Sequence, residues 1–267
     1  MDSLIALSRA EQERAKKLLR LRICDHAVVL VLSLVSLFLH GGALYVIAVL
    51  VLVGNFAAWC LRWLASEAHF LAEEGRRRGV LSETLGGDTD SLGAAELLTK
   101  FGAAARIAAR RWDDPSYFAT RRAVGPERLR EALQESSFWS ARLYRAAGRA
   151  VALRLSGVVS VIVVAVLLIV LVSTPDVATL AARVTVVTLS ALIGLDELGL
   201  MLAFFGASRT SDRVSRLLQG ADTQELSPLL AAYSDYSVAT ASAPPIPTPT
   251  YLRNRGSIER AWSRSKA

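Results

Sequence analysis

The feature that most constrains the fold of this chain is a stretch of 36 residues, 26–61, without Asp, Glu, Lys or Arg. As a single helix it would be about 54 Å long, whereas the hydrocarbon core of a bilayer is about 30 Å thick. The tripeptide His40-Gly41-Gly42 near its centre favours a turn. The sequence therefore predicts a helical hairpin with arms Val28–Leu39 and Ala43–Leu61. The first arm reaches the length of a crossing only if Leu18–Cys24 is added.

A second pair of apolar segments follows later in the chain. Residues 155–175 carry no charge and are rich in valine, but about 20 residues are too many for a strand and suit a membrane crossing. Residues 174–176 are expected to turn, and Val177–Ala207 is the fourth apolar segment. With 52% hydrophobic and 21% charged residues, the chain is predicted to be an all-α membrane protein. We expect four transmembrane helices as two hairpins, with a helical cytoplasmic layer.

The distribution of basic residues predicts the orientation of these helices. Of 31 Lys and Arg residues, 6 precede the first arm, 16 lie from Arg62 to Arg154, 8 follow the second hairpin, and Arg183 lies within it. Because basic residues remain on the cytoplasmic side, both termini and the central segment are predicted to be cytoplasmic. The net charge of +7 therefore reflects topology and contact with the lipid bilayer. No aromatic and basic motif indicates a nucleic-acid polymer as a partner.

These patterns divide the chain into six segments. They are a basic cytoplasmic N-terminal helix (1–25), the first transmembrane hairpin (26–64), a cytoplasmic helical segment (65–150), the second hairpin (151–207), cytoplasmic helices (208–240), and a Pro-rich segment with a basic tail (241–267). Pro126 followed by Glu127 is a helix start signal, and that helix can continue into the third crossing. Leu92–Arg111 has apolar residues at helical spacing, and a short basic helix is expected to end near Gly220.

The C-terminal region is rich in proline and then basic. The prolines of Ser242–Pro249 predict an extended, polyproline-like backbone without a helix. One interpretation is a solvated linker before a disordered basic tail, Arg253–Lys266. The other is that the tail docks on the rest of the protein, because Ile246, Tyr251 and Trp262 are large apolar residues. These three are the candidate docking residues.

Glu135, Trp139 and Arg142 lie at positions i, i+4 and i+7 of the helix that enters the third crossing, and so they share one stripe. One interpretation is an interfacial belt, with Trp139 at the headgroup level and Arg142 on anionic lipid. The other is a coupling surface between the cytoplasmic layer and the crossings. Both interpretations remain open at the level of sequence.

The fourth apolar segment contains three ionisable residues, Arg183, Asp196 and Glu197, which are candidates for a pore or polar path. If the crossing begins at Val177, Asp196 lies at the inner interface, and we prefer this register because the third crossing fixes the turn at Pro175. If it runs from 184 to 206, both acids lie at mid-bilayer, where an ionisable side chain costs at least about 2.5 kcal/mol. Several copies around an axis would place a ring of carboxylates in a lumen, which favours cations.

Motifs for catalysis and cofactor binding are missing from the sequence. It has no Gly-rich phosphate loop, no His and carboxylate set at metal spacing, and no nucleophile beside a base. The two cysteines, Cys24 and Cys60, form neither a disulfide framework nor a zinc cluster. The three histidines are isolated and are expected to be packed or interfacial. We therefore predict that the protein is not an enzyme and binds no cofactor or metal.

Three sequence features together resemble a known family. They are the basic lead-in Ala10–Lys17, the stretch Leu133–Leu143 before the third crossing, and the tail Ala243–Pro247 with Tyr251 and Arg253 after it. With the two-hairpin layout they cover most of the chain. The combination resembles the SMODS-associating four-transmembrane effector family, which is found beside nucleotide-signalling genes in bacterial antiviral operons.

This resemblance implies a function. It implies an effector of the bacterial inner membrane that perturbs or permeabilises the membrane after an infection signal and so stops growth of the infected cell. Such systems signal with cyclic oligonucleotides, so the expected signal is a cyclic oligonucleotide or a partner protein. The expected active form is a homo-oligomer. The alternative is a non-pore membrane scaffold or sensor subunit whose cytoplasmic layer binds a partner protein.

Overall fold

The chain is all-helical in the part that the computed structural model describes, which is residues 3–39, 41–86, 93–111, 120–172, 177–220 and 225–266. The predicted all-α class is confirmed, because no strand occurs in these ranges. In the turn predicted at residues 40–42, Gly41 has a positive φ of 62° and a helix begins at Gly42, whereas His40 lies outside the described residues. The turn predicted at 174–176 also lies outside them. The helices are α1 (Leu4–Ser36), α2 (Gly42–Leu85), α3 (Ala94–Lys100), α4 (Ala103–Ala109), α5 (Pro126–Val172), α6 (Val177–Gly220), α7 (Leu226–Ser242) and α8 (Thr248–Lys266).

Three of the described helical stretches are long and apolar enough to cross a membrane. They are Gly42–Leu85, Pro126–Leu168 and Val186–Gln219. Helix α1 is not among them, because only about ten residues separate its last charged side chain, Asp25, from its end at Ser36. The prediction of a membrane protein is thus supported by three helices.

The long helices continue across the boundaries drawn from the sequence. Helix α5 begins at Pro126, as the sequence predicts, and runs without a break through the third apolar segment. Helix α6 extends to Gly220, so the short basic helix expected after residue 208 is a continuation of the fourth apolar segment. The helix expected over 92–111 is instead broken, since Phe101 and Gly102 have extended backbone angles between α3 and α4.

The chain divides into two compact units. The smaller unit comprises 17–65 and 149–202, and the larger unit comprises 1–16, 66–148 and 203–267. Helices α1, α2, α5 and α6 each contribute residues to both units, whereas α3, α4, α7 and α8 belong to the larger unit alone.

The smaller unit is a bundle of four helices. Val29 of α1, Val51 of α2 and Ile193 of α6 belong to one buried cluster. Leu37, which directly follows α1, and Ala165 of α5 form a second cluster. Helix α1 therefore packs with the three candidate crossing helices over its whole apolar length.

Two apolar clusters of the larger unit join helices from different parts of the chain. One joins four helices, through residues such as Val80 of α2, Leu133 of α5, Val214 of α6 and Tyr233 of α7. The other packs the start of α1 against α3 and α4. Its principal members are Leu4, Leu7, Leu97, Phe101 and Ala105.

The C-terminal region differs from the sequence prediction at both ends of its Pro-rich stretch. Helix α7 runs through Ser242 and α8 begins at Thr248, so only 243–247 is without helix. Pro249 lies in the first turn of α8, where its missing N–H has no helical partner to lose. The interpretation of residues 253–266 as disordered is wrong, because they are helical.

Candidate functional site

Charged residues from all four helices of the smaller unit meet in what we call the charged layer. It consists of Arg22 (α1), Arg62 (α2), Arg154 (α5), and Asp196 and Glu197 (α6). Each member lies beside a long apolar segment of its own helix. The layer contains two of the three residues that the sequence marked as a candidate pore or polar path.

Asp196 is held by two arginines. Arg62 Nη1 donates a hydrogen bond to Asp196 Oδ1, and Arg22 Nη2 forms an ion pair with Oδ2. His26 Nε2 lies 3.9 Å from the same Oδ2. The Asp196 side chain is only 16% exposed, so these contacts replace most of its water.

Glu197 faces a different helix. Its Oε2 lies 3.1 Å from Nη2 of Arg154, and its side chain is 6% exposed. Consecutive residues of a helix point about 100° apart, so Asp196 and Glu197 bind partners on different neighbours. One acidic pair on α6 thereby connects α6 to α1, α2 and α5.

Arg183 does not belong to this layer. It lies 13 positions before Asp196, which corresponds to roughly 20 Å along α6. Its side chain is buried. The structure thus separates the three residues proposed from sequence into one acidic pair and one arginine at another depth of the bundle.

The sequence carried a signal for the missing partners. Arg62 is the first charged residue after the 36-residue uncharged stretch, and Arg154 is the last before the uncharged stretch 155–175. Arg22 is the last basic residue before the first stretch. Charges that end apolar segments of similar length are expected at one depth of a bundle.

The second candidate region lies in the larger unit, where α8 docks on α5. Phe138, Leu143 and Ile258 are buried together, and they are packed by partly buried neighbours. The rings of Phe138 and Trp262 are 4.9 Å apart between centroids, at an angle of 53°. We call this cluster the tail-docking surface. Its partly buried members are Trp139, Ile246, Ala261 and Trp262.

The tail-docking surface unites two sets that the sequence proposed separately. Trp139 belongs to it, and the guanidinium of Arg142 lies 3.3 Å from the centroid of the Phe138 ring. Ile246 and Trp262 come from the tail. Glu135 is half-buried one turn earlier on α5, and Tyr251 is exposed on α8.

A third polar cluster, which the sequence did not suggest, surrounds Glu73 in the larger unit. Glu73 Oε1 accepts a hydrogen bond from Gln12 at 2.9 Å, and Oε2 accepts from Arg76 at 2.6 Å and Thr240 at 3.0 Å. His69 Nε2 lies 3.1 Å from the carbonyl oxygen of Thr240. We call these five residues the Glu73 network, and it fastens α1, α2 and α7 together.

The charge state of Glu73 follows from its neighbours. Burial alone would raise the pKa of this carboxyl group, but the nearby Arg76 and His69 and the hydrogen bonds hold the pKa below its ordinary value. Glu73 is therefore ionised at neutral pH and forms a buried ion pair with Arg76.

In the described part of the chain, no group of three or more His, Cys, Asp or Glu side chains is placed so that it could bind a metal ion. Both cysteines are free, with Cys24 exposed and Cys60 half-buried.

Comparison with known proteins returned no match to a family model, a curated protein or a solved structure.

Proposed function

We propose that the protein crosses the membrane four times and that the charged layer lies at the cytoplasmic interface. The support comes from helix lengths measured from the layer. Gly42–Arg62, Arg154–Val172 and Val177–Asp196 each have about 19 to 21 residues, or roughly 27–30 Å of helix. The hydrocarbon core of a bilayer is about 30 Å thick. Three helices thus extend one bilayer thickness from the same plane of ion pairs.

Helix α1 is the fourth crossing in this proposal. From Arg22 to Ser36 it provides roughly 21 Å of helix, and residues 37–39 continue beyond it. Leu37 packs against Ala165, which lies well inside the apolar part of α5. This contact supports placing the end of α1 inside the apolar layer, beside α5.

Aromatic residues support the interfacial register of α6. Trp59 and Trp63 flank Arg62 on α2, and both are more than half exposed. Tryptophan is enriched at the headgroup level of membranes. Since Arg62 binds Asp196, the acidic pair shares that level, and the arrangement favours the crossing that begins near Val177. The basic residues outside the crossings support placing both termini in the cytoplasm.

Within this architecture we propose the function that the family resemblance implies, a bacterial inner-membrane effector of an antiviral system. A nucleotide or partner signal would activate it, and several copies would then perturb or permeabilise the membrane. The observation that carries the proposal is the charged layer. Asp196 and Glu197, the candidate pore carboxylates, are both paired with arginines of the same copy, which suits a resting state. Before these carboxylates can line a lumen, their ion pairs with the arginines must break.

The energy of that exchange sets a requirement on the signal. Breaking a buried ion pair by removal of one partner costs about 3–5 kcal/mol, because a charge is left uncompensated. The pairs of Arg62 and Arg154 are partly exposed, so water and lipid phosphate reduce this cost. Activation therefore needs a differential binding energy of a few kcal/mol, a size that ligand-driven population shifts reach.

Expression in a bacterium loaded with a membrane-potential dye tests the proposal. We expect depolarisation when the protein is produced together with its activating signal, or at high level, and none with an equally abundant variant that inserts but cannot rearrange. An unchanged potential with wild-type protein demonstrably inserted and signal present would contradict the effector function.

The alternative, a scaffold or sensor subunit, is favoured by one observation in the larger unit. Helices α6 and α7 border a groove of about 560 Å³, lined by small residues such as Gly206 and Ala239, with the ion pair of Arg213 and Asp235 at its rim. Such a groove suits a partner segment. A neighbouring nucleotidyltransferase gene favours the effector, whereas stable capture of a partner without depolarisation favours the scaffold.

A further inference from the structure

One face of α2 is apolar, aromatic and exposed. Leu52, Phe56, Trp59 and Trp63 share this face at helical spacing, and each side chain is more than half exposed. The rings of Phe56 and Trp59 lie 6.0 Å apart between centroids. In a membrane this face contacts lipid, with the aliphatic end toward the acyl chains and the tryptophans at the headgroups.

Arg62 lies at the edge of this face, about 60° around the helix from Trp59. Its Nη1 donates to Asp196, while 52% of the side chain remains exposed. A guanidinium has five N–H donors in a planar fork, and one carboxylate oxygen uses only part of them. Asp196 therefore orients the Arg62 guanidinium and leaves further donors for a second acceptor on the exposed part of the side chain.

We propose that Arg62 binds the phosphate of an anionic phospholipid whose acyl chain lies along Leu52 and Phe56. Phosphate is a good bidentate acceptor for guanidinium, and the adjacent tryptophan rings suit the headgroup region. Arg22, Arg62 and Arg154 repel the ammonium group of a zwitterionic headgroup, which an anionic headgroup lacks. This proposal rests on the membrane location proposed above.

The test uses the full chain reconstituted into vesicles of phosphatidylcholine and phosphatidylglycerol, one of the two lipids carrying brominated acyl chains. Bromine quenches only the tryptophans that contact lipid, so exchanging the brominated component gives the relative binding constant of the two lipids. For the wild type we expect a preference for phosphatidylglycerol of about fivefold, as one interfacial arginine provides.

Variants separate a specific site from general attraction by positive charge. Arg62→Gln should lower the preference to about one, and Arg62→Lys should give an intermediate value, because lysine keeps the charge but loses the planar fork. Arg149→Gln is the matched control, since Arg149 is an exposed arginine of the same unit. It should leave the preference unchanged.

Two results would overturn the site. A wild-type preference near one in vesicles is the first, and equal loss of preference in the Arg149→Gln control is the second. Resistance of the protein to alkaline extraction is measured in parallel. A chain that is extracted from the vesicles refutes the membrane architecture as well, whereas an inserted chain without lipid preference refutes only the site at Arg62.

Discussion

The Glu73 network and the charged layer both place carboxylates and arginines inside helical bundles, but they differ in how far their ion pairs are exposed. The side chains of Glu73 and Arg76 are only 7% and 11% exposed, and each oxygen of Glu73 has a donor from a different part of the fold. In the charged layer, Arg62 and Arg154 are 52% and 36% exposed. Both partners of the first ion pair are thus shielded from solvent, whereas two arginines of the charged layer are partly exposed. We infer that the Glu73 network fixes the structure and that the charged layer can exchange partners.

The largest effect is expected at Glu73. Glu73→Gln leaves Arg76 buried without its counter-ion, so we expect a loss of about 3–5 kcal/mol in the free energy of unfolding. Thermal unfolding of the purified protein, followed by circular dichroism, measures it. Glu74→Gln is the matched control, because the neighbouring Glu74 pairs with Arg78 at a partly exposed position and its loss should cost about 0.5 kcal/mol or less. Equal destabilisation by both variants would contradict the claim that the buried pair of Glu73 contributes more to stability than the partly exposed pair of Glu74.

A smaller effect is expected from Glu197→Gln in the charged layer. Arg154 loses its carboxylate, but its exposed part can bind water or lipid phosphate, so we expect about 1–2 kcal/mol. The double variant with Arg154→Gln should be less destabilised than the sum of the single variants, because it leaves no unpaired charge. If Glu197→Gln costs as much as Glu73→Gln, the charged layer is as rigid as the Glu73 network.

The pH dependence of stability sharpens the same contrast. Because the pKa of folded Glu73 is held below its ordinary value, its stabilising contribution is complete above the pKa of an unfolded Glu, about 4.3. It is lost as the pH falls through the lower pKa of the folded state. The melting temperature should therefore fall more steeply below pH 4 in wild type than in Glu73→Gln. Parallel pH profiles of the two proteins would contradict this assignment.

The last prediction on stability concerns the docked tail. Trp262 packs on Phe138 and is half-buried, so Trp262→Ala should cost about 1–2 kcal/mol, less than a fully buried aromatic residue. Tyr251→Ala, at an exposed position of the same helix, is the control and should be near neutral.

If the tail-docking surface couples to activation, Trp139→Ala and Trp262→Ala abolish growth arrest at unchanged abundance. Surviving growth arrest in both favours the interfacial-belt interpretation for Trp139.

The sequence predicted the features that depend on local pattern and left out those that depend on distant contacts. The helical class and the start of α5 at Pro126 follow from apolar spacing and a helix start signal. The partnership of Arg22 with Asp196 joins residues far apart in the chain, and only packing reveals it. Nothing in the surrounding sequence marks Glu73 as buried. The prolines of the tail argued against a helix over residues 248–266. That helix nevertheless forms, because Pro249 lies in its first turn, where proline is tolerated.

The central claim is that the charged layer marks the cytoplasmic interface of four crossings, and cysteine labelling tests it most directly. Cys24 and Cys60 are first replaced by serine, and single cysteines are placed at Gly42, at the start of α2, and at Gly102, between α3 and α4. In intact cells, a membrane-impermeant thiol reagent should modify the cysteine at 42 and not the one at 102, which should react only after the cells are opened. Modification of the cysteine at 102 in intact cells, with position 42 protected, would contradict the account.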